Sequence, residues 1–321
     1  METVVLDEVI ACLPQGKTHY RYYKNAYAPK LLSLLLNNDI AVKELQQSAY
    51  AKLLHNVVLK DLLANCGDGI VHLPRLNSVW QEPSLPFLLT VDKWSYYRRG
   101  WSQVSRHGDN LVLQLNLPKQ HQVLLEKYMG KNWSFNPYYG HPVRNAHDGE
   151  TARDTLAWAR IDLDFSTDEA LIEEIQSDGA REMMSIYKRA MACSCRNCQD
   201  KQQYLRWFEP YLKIWPETML MAAVEFIRKE LGISKVFMHT ARSGWRVKQM
   251  DKQWAPPVSL YSDLPKKFVF RQVWNAPEFL LRTRTYQQVV RREPDIDFYE
   301  LDFSQHYLKH KGGSYANKTQ H

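Results

Sequence analysis

Three side chains capable of chemistry recur at every second position in the run Ala170-Leu-Ile-Glu-Glu-Ile-Gln-Ser-Asp178: Glu174, Gln176 and Asp178. Side chains of a strand alternate between its two faces. An extended run therefore aims these three, with Ile172, to one side, and Leu171, Glu173, Ile175 and Ser177 to the other. Apolar residues on both sides mark a central strand. Two carboxylates and an amide on one face of such a strand need partners, because burying unpaired charge is costly. One reading is a structural ion-pair network with Arg160, Arg181 or other bases. The other is a cleft in which a carboxylate acts as a base or holds a ligand. Arg160, Asp162 and Asp164, on the polar side of the preceding strand, can join either arrangement.

A second cluster is Cys193-Ser-Cys195-Arg-Asn-Cys198. Thiolates at this spacing can wrap a Zn²⁺ ion, which takes four ligands. Cys66, His239 or Asp200 are candidates for the fourth, and the expected role is structural rather than catalytic. The alternative is three reduced thiols beside a helix end. Neither a His-Glu-x-x-His helix, a phosphate-cradling Gly-rich Lys-Ser/Thr loop nor a Gly-x-Ser-x-Gly elbow is present.

The elements that must position these groups can be read from periodicity. Leu111, Leu113, Leu115 and Leu117 alternate with Val112, Gln114 and Asn116, a strand stopped by Pro118. Ala159, Ile161, Leu163 and Phe165 alternate in Trp158–Phe165. The short Ser166–Glu169 link makes the next strand, Ala170–Asp178, antiparallel to it. Helices are expected over Ala41–Ala64, Ala180–Ala192, Lys201–Tyr211 and Pro216–Leu231. In the last, Pro216 suits the first turn and Gly232 the end. Lys235–Thr240 and Lys267–Val273 read as strands. The fold class expected is α+β: a helical N-terminal part, then a mixed, largely antiparallel sheet flanked by helices. The expected division is a mainly helical region 1–108, an α+β domain 109–308 with a Cys-containing insertion near 181–215, and a flexible tail 309–321.

The chain has 321 residues, 45% hydrophobic and 24% charged, enough for a buried core. No apolar run reaches the roughly 18–20 residues that span a bilayer. The odd number of cysteines and their crowding argue for a reducing compartment, and cytoplasm is the expected location. The net charge is +7. Eleven Lys/Arg against three acids fall between Arg242 and Arg292, and five acids with no base follow from Glu293 to Asp302. The two stretches either neutralise each other or offer an anion-binding surface for a phosphate-bearing cofactor or nucleic acid. Lys93–Arg106 interleaves four bases with four aromatics and no acid, a pattern that suits either nucleic-acid contact or an ordinary packed loop. Gly140-His-Pro-Val-Arg144, with Tyr138 and Tyr139, reads as a lid or a packed loop.

The run Ile172-Glu-Glu-Ile-Gln-Ser-Asp178 closely resembles the Glu-Glu-Ile-Gln-Ser-Asp-Trp signature of domains in large polyvalent phage and prophage proteins. The resemblance extends to Asp109–Pro118, Trp158–Phe165, Trp215–Thr240 and Tyr261-Ser-Asp-Leu-Pro265, within roughly 109–270. Gly179 stands where that family has Trp, and Arg181–Trp215 looks like an insertion. It implies an origin in a mobile element. The order of elements also resembles that of the Gcn5-related N-acetyltransferases, in which a central strand carries the base and a splayed partner strand admits the cofactor. Gln176-Ser-Asp-Gly179-Ala-Arg181 partly resembles their pyrophosphate loop, with Arg181 where they have Gly or Ala. That resemblance implies acyl-CoA as cofactor, held by Gly179, Arg181 and Arg160. It also implies Glu174 as base and Tyr261 as the group that protonates the leaving thiolate. Three functions follow as expectations: an acyl-CoA-dependent transferase, a non-catalytic nucleic-acid-binding accessory protein, and a zinc-stabilised interaction module.

Overall fold

The computed structural model describes residues 1–13, 18–94, 103–136, 141, 153–193, 195–251 and 257–304. Ten strands occur among them: β1 Thr18–Tyr22, β2 Ile40–Ala41, β3 Ile70–Val71, β4 Leu85–Trp94, β5 Asn110–Asn116, β6 Thr155–Asp164, β7 Glu169–Gln176, β8 Lys235–His239, β9 Arg271–Val273 and β10 Phe298–Asp302. Eight of them form one sheet in the order β1-β4-β5-β6-β7-β8-β10-β9, and β2 pairs with β3. Every neighbouring pair is antiparallel except β7 with β8, which is parallel. The protein is thus α+β, with a mixed, largely antiparallel sheet and flanking helices.

The alternation in the sequence decides which face meets the helices. Leu111, Leu113, Leu115, Ala159, Ile161, Leu163 and Ile172 belong to the main core. Helices Asp178–Met191 and Arg196–Lys229 lie against that side. Their alternates Val112, Gln114, Trp158, Arg160 and Asp162 form the opposite face, which is buried too. Its polar groups satisfy one another. Thr90 donates to Gln114, Gln114 to Thr155, Thr155 to Asn116, and Asn116 back to Thr90, as burial of polar groups demands.

The long helix Arg196–Lys229 runs through Pro210 and Pro216. The sequence suggests a helix ending near Tyr211 and another starting at Pro216, since an interior proline costs about 3 kcal/mol. Packing overrides that cost: Tyr204, Phe208 and Tyr211 are buried along one side of the helix, and from Met219 to Val224 every residue is buried; the Tyr204 and Phe208 rings stack 5.7 Å apart. The single helix expected over Ala41–Ala64 is instead three short pieces, Val42–Gln47, Ala51–His55 and Val57–Ala64. Ser48 accepts from the Tyr50 N–H, and Asn56 caps the third piece by accepting from Val58 and Leu59. Such local bonds compete with helix continuation.

Other expectations change in detail. Lys267–Val273 is a strand only over Arg271–Val273, because Leu264–Lys267 is helical. β1 and β4 come from the first hundred residues and pair into the common sheet, and residue 108 falls between the adjacent strands β4 and β5. The main core runs from Met1 to Phe303 without a break. Among the described residues no helix is long and apolar enough to cross a membrane. The expected tail 309–321, Lys93–Arg106 over 95–102, and the Gly140–Arg144 loop apart from His141 lie outside the described residues.

Candidate functional site

Strand β7 does not keep strict alternation. Arg160 pairs with Glu174 and the next residue, Ile161, pairs with Ile172, so Glu173 is an inserted residue. A β-bulge of this kind puts two residues opposite one and re-aims side chains. The expectation that Glu173 and Glu174 face opposite ways is therefore corrected: both lie on the side of the sheet that carries Arg160, Glu173 against His239 and Lys248 and Glu174 against Arg160 itself.

Glu173 sits in a closed network. Its Oε1 accepts from the Ser105 N–H at 2.9 Å, and its Oε2 accepts from the Ser105 hydroxyl at 2.9 Å. His239 Nε2 lies 3.3 Å from the same oxygen and 2.8 Å from Ser105 Oγ. Lys248 donates to the Glu173 carbonyl at 2.6 Å. Ser105, Glu173 and His239 are wholly buried. Burial opposes the charge on Glu173. The hydrogen bond to His239 and the nearby charges, with Lys248 and Arg160, outweigh it and hold the carboxyl at about 2. Burial pushes His239 below its ordinary value, so its ring is neutral at pH 7. Its Nδ1 lies 3.1 Å from Ser243 Oγ, which already accepts from the Thr240 N–H. With Ser243 donating to Nδ1, the ring proton is assigned to Nε2. A nucleophilic serine needs the acid behind the other ring nitrogen and an unprotonated Nε2. Here acid and hydroxyl share Nε2, so this is a structural network.

Glu174 lies beside it and is more open, with 17% of its side chain exposed; it contacts Arg160 Nη2 at 2.5 Å. Burial raises the Glu174 carboxyl, but the Arg160 and Lys248 charges pull it below its ordinary value. Arg160 is wholly buried. Its Nη2 also donates to the Gln103 carbonyl at 2.7 Å, and its guanidinium lies 4.7 Å from the Trp94 ring centre. Among the described residues, its Nε and Nη1, and the Trp158 indole Nε1, have no acceptor. Trp94 stacks on Trp158 at 5.9 Å. Asp162 and Asp164 are committed elsewhere: Arg106 grips Asp162 at 2.7 and 2.9 Å and reaches Asp164 at 3.3 Å.

Asp178, expected on the strand, is the first residue of the helix Asp178–Met191, because Ser177 caps that helix by accepting from the Ala180 N–H. The turn still returns the Asp178 carboxylate to Gln176, whose amide donates to it, and to His141, with Nδ1 2.6 Å away. The structure thus brings Glu174, Gln176, Asp178 and Arg160 to one side of the sheet. Tyr261 is buried, and its hydroxyl accepts from the Ile175 N–H at 3.1 Å; burial raises its pKa strongly.

The expected phosphate loop is built differently. A Cβ at Gly179 would lie 2.1 Å from Phe135 Cε1, so this glycine admits an aromatic ring. The first helical turn carries the Asp178 carboxylate, where a phosphate would be repelled. The Arg181 side chain is exposed.

The sulfur ligand atoms of Cys193, Cys195 and Cys198 all lie within 4.8 Å of one another, so the cluster can hold a metal ion. Hydrogen bonding with Cys193 and Cys195 pushes the Cys198 thiol up to about 12. Of the candidate fourth ligands, His239 is engaged with Glu173. Cys66 donates to the Leu62 carbonyl and accepts from Arg75. Among the described residues neither these, Asp200 nor any other His, Asp or Glu joins the group.

The basic stretch is partly neutralised. Arg242 and Arg246 bind Glu293, Arg271 binds Glu300 and Arg282 binds Glu278. A cleft of about 400 Å³ there is lined by Trp245, Arg246, Met250, Gln288, Arg292 and Glu293.

Sequence reasoning did not reach Ser105, Lys248, Trp94 or His141 as members of the site, and it met His239 only as a metal ligand. All five come from segments remote from β7, and no local pattern links them to it. Comparison with protein-family models, curated proteins and solved structures finds no match.

Proposed function

We propose that the protein is a group transferase of the acyl-CoA-dependent kind, acting at the end of β7. One observation carries this reading. The single parallel pair in the sheet holds together only over Glu169–Ile172 and Lys235–Met238. Beyond it, β7 continues through the bulge to Gln176 with no paired strand on that side among the described residues, and the Ile175 N–H bonds to Tyr261 instead. In open parallel sheets, ligands enter at the carboxyl ends of the strands, and the β7–β8 pair is the place in this sheet with that local arrangement. It agrees with the splayed pair that the acetyltransferase resemblance implies.

In this reading Glu174, already ionised, takes the proton of the incoming nucleophile. Tyr261, which keeps its proton, supplies one to the leaving thiolate. Arg160 and Lys248 balance Glu173 and Glu174 in charge, so a neutral acceptor fits the unpaired Arg160 and Trp158 donors better than an anion. A thioester or amide carbonyl is such an acceptor. With Asp178 at the helix start, the cofactor's phosphates fall to side-chain cations, Arg181 among them. The mobile-element origin implied by the phage-type signature belongs to the same proposal. The nucleic-acid reading draws less support, since four arginines of the basic stretch are already paired.

Thermal shift with acetyl-CoA, CoA, NAD, nucleotides, short DNA and zinc tests this reading. A ligand at 100 times its Kd stabilises by about 2.7 kcal/mol. A shift with acetyl-CoA that weakens in Arg160→Gln is expected. No shift with acetyl-CoA or CoA retires the transferase reading.

A second centre is favoured by the three converging sulfurs. We assign Zn²⁺ to Cys193, Cys195 and Cys198 as a structural ion.

A further inference from the structure

We propose, resting on the zinc assignment, that Cys193, Cys195 and Cys198 form a three-thiolate site whose fourth coordination position is filled from outside the chain. The preferred ion is a thiophilic divalent cation. Zn²⁺ binds sulfur at about 2.3 Å in a tetrahedron, which sets the sulfur–sulfur edge at about 3.8 Å. Cys193 and Cys195 Sγ are 3.2 Å apart, and all three sulfurs lie within 4.8 Å. Changes of about 1 Å or less in the sulfur–sulfur distances therefore suffice to form three legs of that tetrahedron.

The segment that carries them is held by bonds of its own. The Cys193 N–H donates to the Ala190 carbonyl at 3.2 Å. The Gln202 side-chain amide donates to the carbonyls of Ala190 and Cys193, at 2.8 and 3.1 Å. Cys195 is the cap residue of the helix Arg196–Lys229, and its carbonyl accepts from the Gln199 N–H at 3.0 Å. Cys195 and Cys198 thus sit at the start of a 34-residue helix.

Two observations favour a fourth ligand from outside. No further thiol, imidazole or carboxylate among the described residues joins the group. Cys195 is exposed, and Cys193 and Cys198 are half-buried, so the cluster lies at the surface. A closed structural site surrounds its ion with protein ligands, whereas a site with three protein ligands keeps a water or other small donor. The bound ion would tie the end of the helix Asp178–Met191 to the start of Arg196–Lys229, while staying open to an added thiol or imidazole.

The test uses the full chain. Elemental analysis after dialysis is expected to give one zinc per chain. The Co²⁺-substituted protein is expected to show sulfur-to-cobalt charge transfer, and its d–d bands should move when imidazole or 2-mercaptoethanol is added. Cys66→Ser should retain the ion. Cys193→Ser, Cys195→Ser and Cys198→Ser should each weaken binding by more than the roughly 10–100-fold that loss of an outer supporting group costs. The added-ligand titration needs no variant and stands even if a cysteine variant fails to fold. A bound ion whose bands ignore both added ligands means that the chain supplies the fourth donor; the open position then falls and the zinc assignment survives. No stoichiometric ion removes both.

Discussion

Glu173 and Glu174 are consecutive residues bound to different bases on one side of the sheet. Glu173 Oε2 lies 3.3 Å from His239 Nε2, and Glu174 Oε2 lies 2.5 Å from Arg160 Nη2. The bulge separates their roles: the first carboxylate is sealed into a network, and the second reaches solvent.

Removing one partner of the outer pair should be costly. Arg160→Ala leaves Glu174 with an uncompensated charge in a mostly buried place, and breaking such a pair costs about 3 kcal/mol. Arg160→Met combined with Glu174→Met should recover most of that loss. Urea unfolding of both variants checks this. An Arg160→Ala protein as stable as the parent would show that the pair contributes nothing.

Acid should unfold the protein in two stages. His239 has a folded pKa below its ordinary 6.5, so its contribution is full above that pH and is lost as pH falls through its depressed folded value. Glu173 has a carboxyl lowered from 4.5 to about 2, so its contribution is full above 4.5 and fades as pH falls toward 2. The Glu173 stage amounts to roughly 3 kcal/mol. Urea midpoints across pH 2 to 8 should fall below 6.5 and again below 4.5, and Glu173→Gln should make the second decline shallower, the rest coming from other lowered carboxylates such as Glu174 and Glu225.

Gly179→Ala should destabilise by about 1–3 kcal/mol through overpacking against the Phe135 ring. Phe135→Leu in the same chain should relieve part of that loss, giving a double variant more stable than the sum of the singles. Strict additivity in thermal or urea unfolding would show that the two residues do not meet.

Tyr261→Phe removes the acceptor of the Ile175 N–H and leaves a buried donor unpaired, at a cost of about 1–3 kcal/mol. In the transferase reading the same change should lower kcat more than KM for an acyl-CoA donor. Unchanged kcat would leave Tyr261 with a structural part only.

The hairpin of β6 and β7 is legible in the sequence because Ala159, Ile161 and Leu163 alternate strictly and the link between the strands is short. The side shared by Glu174 and Gln176 follows from the same counting. The bulge at Glu173 breaks the count, and nothing in the local sequence signals it. Asp178 was misplaced because Ser177 reads equally well as a strand residue and as a helix cap. Ser105, His239 and Lys248 meet Glu173 through contacts spanning 66 to 75 residues, which periodicity does not encode. The strands β1, β4 and β10 carry no clear alternation of their own; pairing with their neighbours makes them strands.

The parallel pairing of β7 with β8 also bears on the order of assembly. Leu163 meets Ala170 across a tight turn, whereas Ala170 meets Val236 only after two intervening helices have wrapped back. Contacts between distant segments form slowly, because the chain loses loop entropy before they reward it. During refolding, the β6–β7 hairpin can zip early, and the pairing of β7 with β8 forms late. Ligand competence should therefore lag behind the recovery of secondary structure.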